Sequence, residues 1–362
     1  MNFSYIESNA EAIKVAEILL QQNPEFLALD TEFIREDTYF PKLSIVQIAT
    51  PENTFIIDAI NCDINIFKSL LENVYIVKVF HSGRQDLEIF AELYNIYPQN
   101  IFDLQVAAAL LQLGEQVSLD KLYELFFHKK LDKKLQYCDW LQRPLSQEKI
   151  LYAYEDAKAI QFLYPILKQR MNKPALMQWH DAFIKTMENI LKEEVKDIII
   201  NQFYFVPKEK DLLKNQYQAA LLIWRDQTAK ALNKPRSSIL SNKMVEDLAI
   251  ALVVDKKEIS TIFYKTQEKY PRALTKKIKE DLLVFAEDLK ASKNLPVLTV
   301  ETTEQKLKRI DLKKALKIKA DALGIPVMFL CDKYEINALL QNNAHLEKLP
   351  HCKKWALKEL FE

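Results

Sequence analysis

Three glycines in 362 residues, Gly83, Gly114 and Gly324, remove whole classes of fold from consideration. Glycine lets a backbone pass close to a phosphate or turn through positive φ without steric cost. With only three, neither a Walker P-loop nor a G-x-G-x-x-G dinucleotide fingerprint fits anywhere in the chain. Nucleotide-driven motors and hydride-transfer enzymes built on those loops are excluded.

Hydrophobic periodicity divides the chain in two. Residues 26–33, 43–49 (LSIVQIA), 54–59 (TFIIDA) and 75–80 (YIVKVF) read as strands, the middle two at hairpin spacing and the last apolar on both faces. From Gly83 the period changes, and Leu87, Phe90, Ala91 and Tyr94 mark an amphipathic helix. A short Ile101-Phe102-Asp103 strand leads into an Ala- and Leu-rich helix, and another helix starts near Ser118. A long helix is expected from Ser146, its N-cap, through Tyr152 and Asp156 to about Met171. Strands with helices threaded between them predict an α/β domain, a mixed sheet flanked by helices. Beyond about residue 175 no strand run is evident and helical patterning takes over. It is broken at Pro207, at Pro235 and around Pro296 to Thr303, which are read as boundaries. Within that helical half, Ala229-Lys230-Ala231-Leu232-Asn233-Lys234-Pro235 is echoed 91 residues later by Ala320-Asp321-Ala322-Leu323-Gly324-Ile325-Pro326. Two similar helical modules in tandem, or a chance likeness of helix ends, would each produce this.

A chain of this length predicts two or three domains. Its net charge of zero hides a polarity: 18 Lys and Arg against 26 Asp and Glu in residues 1–190, and 32 against 24 in residues 191–362. An acidic half beside a basic half suits a nucleic-acid enzyme with a separate binding module, although drift in surface charge gives the same count. The four cysteines form no C-x-x-C pair and no zinc spacing, so thiolate chemistry is not expected. No run approaches the ~18 apolar residues of a membrane helix, and the N-terminus lacks a basic region followed by an apolar run. A cytoplasmic location without membrane contact is expected, and no obligate protein partner is implied.

Acidic residues recur in three patches: Asp30-Thr31-Glu32-Phe33, the segment from His81 to Glu88 around Asp86, and Tyr152-Ala153-Tyr154-Glu155-Asp156. On a strand Asp30 and Glu32 share a face while Thr31 points away. On a helix Tyr152 and Asp156 share a face, and Asp86 falls in the first turn of its helix, where an acid meets the dipole favourably. Carboxylates brought together repel, so one must take a proton unless a cation neutralises the group. Magnesium or manganese, hard ions that prefer oxygen, are the expected neutralisers. Two such ions about 3.5–4 Å apart would clamp the attacking and leaving oxygens of an in-line displacement at phosphorus. One would be held by Asp30, Glu32 and Asp156, the other between Asp30 and Asp86. Tyr152 would orient the attacking water rather than deprotonate it. Taken singly, each patch has a structural reading: a strand end, a helix start, a surface face.

In this order, Asp-Glu, Asp and Tyr-x-x-x-Asp resemble the DEDD exonuclease superfamily in its tyrosine branch. The sister branch carries His five residues before the last Asp, where this chain has Leu151. Three further segments resemble ribonuclease D: Thr38-Tyr39-Phe40-Pro41, Val46-Gln47-Ile48 and Asp139-Trp140-Leu141-Gln142-Arg143-Pro144-Leu145. The likeness covers residues 1–172. It implies a ribonuclease H-like fold and a 3′→5′ exoribonuclease that trims stable RNA precursors, tRNA among them, releasing nucleoside 5′-monophosphates. Trp224-Arg225, Ala229, Pro235 and Ile239-Leu240 are similar to the HRDC domain, a helical nucleic-acid-binding module. The expected division is an exonuclease domain over 1–190, an HRDC domain over 210–292 and a second HRDC-like domain over 303–362. Phe33, Gln47 and His81 are expected on the substrate-binding side, Phe33 only if its strand ends or twists there. The basic runs at Lys276-Lys277-Ile278-Lys279 and from Lys313 to Lys319 are candidates for phosphate contact or plain solvated helix faces. A 3′→5′ DNA exonuclease shares the same metal site. A catalytically decayed RNA-binding protein does not fit five intact site residues.

Overall fold

A six-stranded mixed sheet in the order β1–β4–β3–β2–β5–β6 organises the first half of the molecule. It is seen in a computed structural model that describes residues 3–203, 205–206, 208–254, 276–292, 294–341, 346–347 and 349–361. The strands are β1 Phe3–Ile6, β2 Phe26–Ile34, β3 Lys42–Ala49, β4 Thr54–Asp58, β5 Val77–Phe80 and β6 Ile101–Asp103. Between and after them run α1 Asn9–Gln22, α2 Lys68–Leu71, α3 Arg84–Tyr94, α4 Leu104–Leu110, α5 Leu119–Phe127 and α6 Gln147–Arg170. The β2–β3 and β3–β4 pairs are antiparallel and the remaining three are parallel. Each strand expected from the sequence forms. β1 is too short to show a period and joins at the edge beside β4. α1 starts at Ser8, whose hydroxyl accepts from Glu11 N.

Alternation along β2 decides which helices cover which face. Leu27 and Leu29 point into a core shared with Val15 and Leu19 of α1 and Leu87 and Phe90 of α3. Phe26 and Ala28 point the other way, toward Ile160, Leu163 and Tyr164 of α6. Full burial of each such side chain contributes about 1.5–3 kcal/mol relative to exposure, so a one-residue slip would reverse every face and is strongly disfavoured. Asp30 and Glu32 continue the series of Phe26 and Ala28 and so lie on the α6 side.

Two irregularities shape the end of β2. Pairing with β5 reaches only Ala28↔Val79, so Asp30, Thr31 and Glu32 extend past the end of that neighbour. On the other edge the register with β3 shifts between Glu32↔Ile45 and Phe33↔Leu43, leaving Ser44 as an extra residue. The bulge leaves Phe33 on the Leu27 and Leu29 side of the sheet, where regular alternation also puts it, and not on the Asp30 and Glu32 side.

The second half is helical: α7 Pro174–Lys192, α8 Val195–Phe203, α9 Glu209–Leu232, α10 Arg236–Ile239 and α11 Asn242–Val254, then helices over Lys276–Ser292, Thr303–Leu323, Val327–Leu330, Lys333–Gln341 and His351–Phe361. The expectation of no strand beyond residue 175 is corrected in one place. Phe205–Val206 pairs in parallel with Thr299–Val300, so two breaks in the helical pattern meet each other; strands of two residues show no alternation to read. Pro207 and part of the 210–292 module lie outside the described residues. Pro235 is not a boundary. It caps α10, and Ala229 and Ile239 on either side of it bury into one core with Tyr217 and Leu248.

The internal echo is geometric. Asn233 and Gly324 end their helices with φ of 47° and 66°. Lys234 N then donates to Ala229 O at 2.9 Å and Ile325 N to Ala320 O at 3.1 Å. A four-residue helix follows Pro235 and Pro326 alike, closed by Leu240 and Cys331 in extended conformation.

Both copies of the echo rest on the first half of the chain, by different means. In the β2–β3 loop, Tyr39 hydroxyl donates to Asp226 at 3.1 Å, accepts from Arg236 Nη2 at 3.0 Å and lies under the Arg236 guanidinium. The second module instead merges apolar residues such as Leu316, Ala320 and Phe329 with the α4 and α6 core, Phe329 meeting Phe183 of α7 at 4.9 Å.

Candidate active site

Asp30 and Glu32 of β2 and Asp156 of α6 each bring a carboxylate oxygen within 4.8 Å of the others. Two rules of local geometry produce this: residues two apart on a strand share a face, and Ala153 and Ala157, both fully buried, let α6 approach β2 and β3 closely. Asp30, Glu32 and Asp156 all keep some exposed surface, so the group is reachable from solvent. The expected convergence is present.

Asp86 stands just outside that group, in the first turn of α3. It comes from the opposite side of the sheet and reaches the site where β5 has ended. Thr31, expected to point away from the acids, does leave the Asp30 face, but its hydroxyl donates to Asp86 Oδ1 at 2.5 Å. Thr31 is therefore a site residue that strand alternation alone dismissed. The negative charge of Asp86 is close enough to push the Asp30 carboxyl upward.

Asp103 sets the position of α3. Its buried carboxylate accepts from Ser82 N at 3.1 Å, Gly83 N at 2.8 Å, Gln105 N at 2.8 Å and Val106 N at 3.2 Å. One side chain thus ties the β5–α3 turn to the start of α4, capping that helix. Gly83 is required in the turn because an added Cβ would collide with the Phe80 side chain.

The electrostatics are those of an unneutralised cluster. Burial first, then the charges of Asp86 and Asp156, raise Asp30 well above the usual carboxylate range. Burial and the charge of Asp30 do the same to Glu32. Asp86 is pushed up to about 7 by burial, against the lowering effect of Thr31. Asp156 is pushed up to about 7 by burial, against the hydrogen bond from Tyr152. For Tyr152 burial and the Asp156 charge both push the phenol upward. It stays a neutral hydrogen-bond donor, as expected of a group that orients and does not deprotonate. A hard oxygen donor set carrying repelling charge fits a divalent cation.

Tyr152 is braced from below by the 139–145 segment. Trp140 is fully buried, with its ring 5.8 Å from that of Tyr152. Ser44, the extra residue of the bulge, donates to Trp140 O at 2.6 Å. Arg143 holds the segment to the sheet through two bonds of 2.8 Å to Asp58, which also accepts from Tyr5 at 2.9 Å. The links from Trp140 and Arg143 to the sheet span 96 and 85 residues, and only the Trp-x-x-Arg spelling in the sequence hinted at them.

The three substrate-side expectations fare differently. Phe33 is half-buried beyond the bulge and packs against the core on the α1 and α3 side. His81, just after β5, has both ring nitrogens buried without a hydrogen-bond partner, and burial lowers its pKa. Gln47 lies directly across from Asp30 on β3 and is fully buried. Its direct substrate role is corrected to a place in the floor under Asp30, because no surface is left for a nucleotide to touch.

Comparison with known proteins agrees with this geometry. Residues 3–172 match the family model described as 3′-5′ exonuclease, and residues 216–274 match the HRDC domain. A ribonuclease D of Bartonella henselae is 31% identical, with 92% of this chain and 82% of that protein covered. One of Xanthomonas oryzae pv. oryzae is 30% identical over 92% and 88%. In the Nitrobacter hamburgensis relative the match spans 63% of its length. Among solved structures, Escherichia coli RNase D, described as an exoribonuclease involved in structured RNA processing, superposes with a TM-score of 0.75 at 21% identity over 99% of both chains. The catalytic core of RRP6 from Trypanosoma brucei gives 0.55 at 20% identity, covering 81% and 80%. Among the described residues no helix is long and apolar enough to cross a membrane. The chain belongs to the ribonuclease D family and is a 3′→5′ exoribonuclease.

Proposed function

We propose that this exoribonuclease trims the 3′ ends of RNA precursors, tRNA among them, at a site that takes two divalent ions, magnesium or manganese. Asp30, Glu32 and Asp156 would hold one ion, and Asp30 with Asp86 the other. Ions bound there would neutralise the cluster and supply an acidified water close to the terminal phosphodiester. The chain's own groups do the rest. Tyr152, kept protonated, donates a hydrogen bond that fixes the direction of attack. Thr31 and Asp103 hold Asp86 in place, and the Arg143–Asp58 clamp holds Trp140 beneath Tyr152. Phe33 and His81 flank the pocket for the terminal nucleotide. Water attacks the terminal phosphorus and its bond to O3′ of the preceding nucleotide breaks, which leaves a nucleoside 5′-monophosphate and a chain one residue shorter with a free 3′-hydroxyl.

The single observation that carries the reading is the convergence of Asp30, Glu32 and Asp156 within 4.8 Å, with every acid of the site shifted upward. A decayed binding protein has no reason to keep that crowding. The test is digestion of matched 5′-end-labelled RNA and DNA strands with magnesium, manganese or chelator, read at nucleotide resolution. A ladder shortening from the 3′ end of RNA, dependent on metal, is expected. Equal turnover with chelator overturns the metal reading, and preference for DNA overturns the substrate reading.

A further inference from the structure

Of the four tryptophans, Trp355 alone is open to solvent, at 61% exposure, whereas Trp140 and Trp179 are buried. An indole on the surface is unusual for a residue with so much apolar area to bury. It is also not isolated. Lys319, on the long helix Thr303–Leu323, places its ammonium 5.8 Å from the centre of the Trp355 ring. Lys308 lies eleven residues earlier, three turns along the same flank. Lys358 follows Trp355 by one turn of its own helix and is exposed. The ion pair of Lys308 with Glu304, at 2.8 Å between two exposed side chains, is of the kind worth little in water.

The two helical modules differ in this respect. Helix Thr303–Leu323 carries seven Lys and Arg against three Asp and Glu, while its counterpart α9 carries four against three. In the first module the tryptophan of α9, Trp224, is packed against Phe285, ring to ring at 5.8 Å. An exposed aromatic face flanked by cations is the arrangement that stacks an unpaired base and holds the phosphates on either side. A duplex offers no unstacked base to such a surface, whereas structured RNA presents single strands at ends and loops.

We infer that the flank formed by Trp355, Lys319, Lys308 and Lys358 is a binding platform for single-stranded RNA, with Trp355 as the stacking residue. It rests on the reading of RNA as substrate. It gives the second helical module a holding role separate from cleavage.

The experiment uses the full chain. Binding of a labelled single-stranded RNA 15-mer and of a blunt RNA duplex is measured with chelator present, and turnover of a trinucleotide with magnesium. Trp355→Ala is expected to weaken the single strand about 5- to 150-fold, the range of one lost base stack. Duplex binding and trinucleotide turnover should not change. Trp355→Phe should retain most of the affinity, and Lys319→Gln should reduce the salt slope by about one. Unaltered 15-mer affinity in Trp355→Ala overturns the platform. So does a variant that binds RNA normally but changes its self-association in sedimentation, which would give the ring to a protein contact. Failure of the unaltered chain to degrade the trinucleotide would instead count against the nuclease reading, so the two failures are separable.

Discussion

Two sets of carboxylates sit in or against the same sheet, and they are built on opposite terms. Asp58 and Asp103 each arrive with a full complement of donors: a two-pronged Arg143, Tyr5, Asn61 and Ile60 N for the first, four backbone amides for the second. Burial pushes Asp58 up, but the Arg143 and Tyr5 bonds outweigh it and hold the carboxyl below its usual range. Asp30, Glu32, Asp86 and Asp156 are raised, and protein donors do not offset their burial. An acid that serves the fold brings its partners with it. An acid that serves the reaction is left short of them, and a ligand must make up the difference.

The sharpest way to break this contrast is to remove one acid of each kind. Asp30→Ala or Asp156→Ala should abolish cleavage while leaving the metal-free melting temperature unchanged or higher, because a repelling charge is gone. Substantial turnover at saturating metal would refute the assignment. Asp58→Ala should do the reverse. It strands Arg143 and should cost about 3–5 kcal/mol of stability, with activity falling only as far as Trp140 and Tyr152 loosen. Chemical denaturation with and without metal distinguishes the two patterns.

Tyr152→Phe should slow single-turnover cleavage by about 10- to 1,000-fold, the loss of one orienting hydrogen bond. Undiminished activity would make Tyr152 a packing residue. A smaller effect concerns pH. The site acids have folded-state values above their unfolded ones, so the folded metal-free chain holds protons more tightly than the unfolded chain. Stability should therefore fall as pH rises from about 4 to about 7, and Asp58 should act in the opposite sense at lower pH. Magnesium should raise the melting temperature more at pH 8 than at pH 5, and equal increments would contradict the contrast. Smallest of all, Phe33→Ala should raise KM for RNA more than it lowers the melting temperature. The reverse would place Phe33 in the core alone.

Much of this was legible in the chain. β2 and α6 follow from periodicity and from Ser146 as a cap, and their periods put Asp30, Glu32, Tyr152 and Asp156 on the right faces. The supporting residues were not legible, because their roles depend on partners far away in sequence. Asp58 meets Arg143 across 85 residues, and Thr31 meets Asp86 across 55. Asp103 reads as an ordinary helix cap until the turn at Ser82 and Gly83 folds onto it. Gln47 failed for a related reason: matching a motif says that a residue belongs to the site, not which layer of it.

The early end of β5 has a further consequence. The site occupies a notch in the sheet, a place where a strand is missing, and no residue type encodes a missing strand. The chain keeps the notch open by stopping β5 with a turn too tight for a Cβ at Gly83, and by spending the Asp103 carboxylate on the amides that a longer strand would have paired. Substitutions that favour extended conformation at 81–83 would therefore inactivate the enzyme by adding order. They would lengthen a strand into the space that substrate needs while leaving the four acids and the tyrosine in the chain.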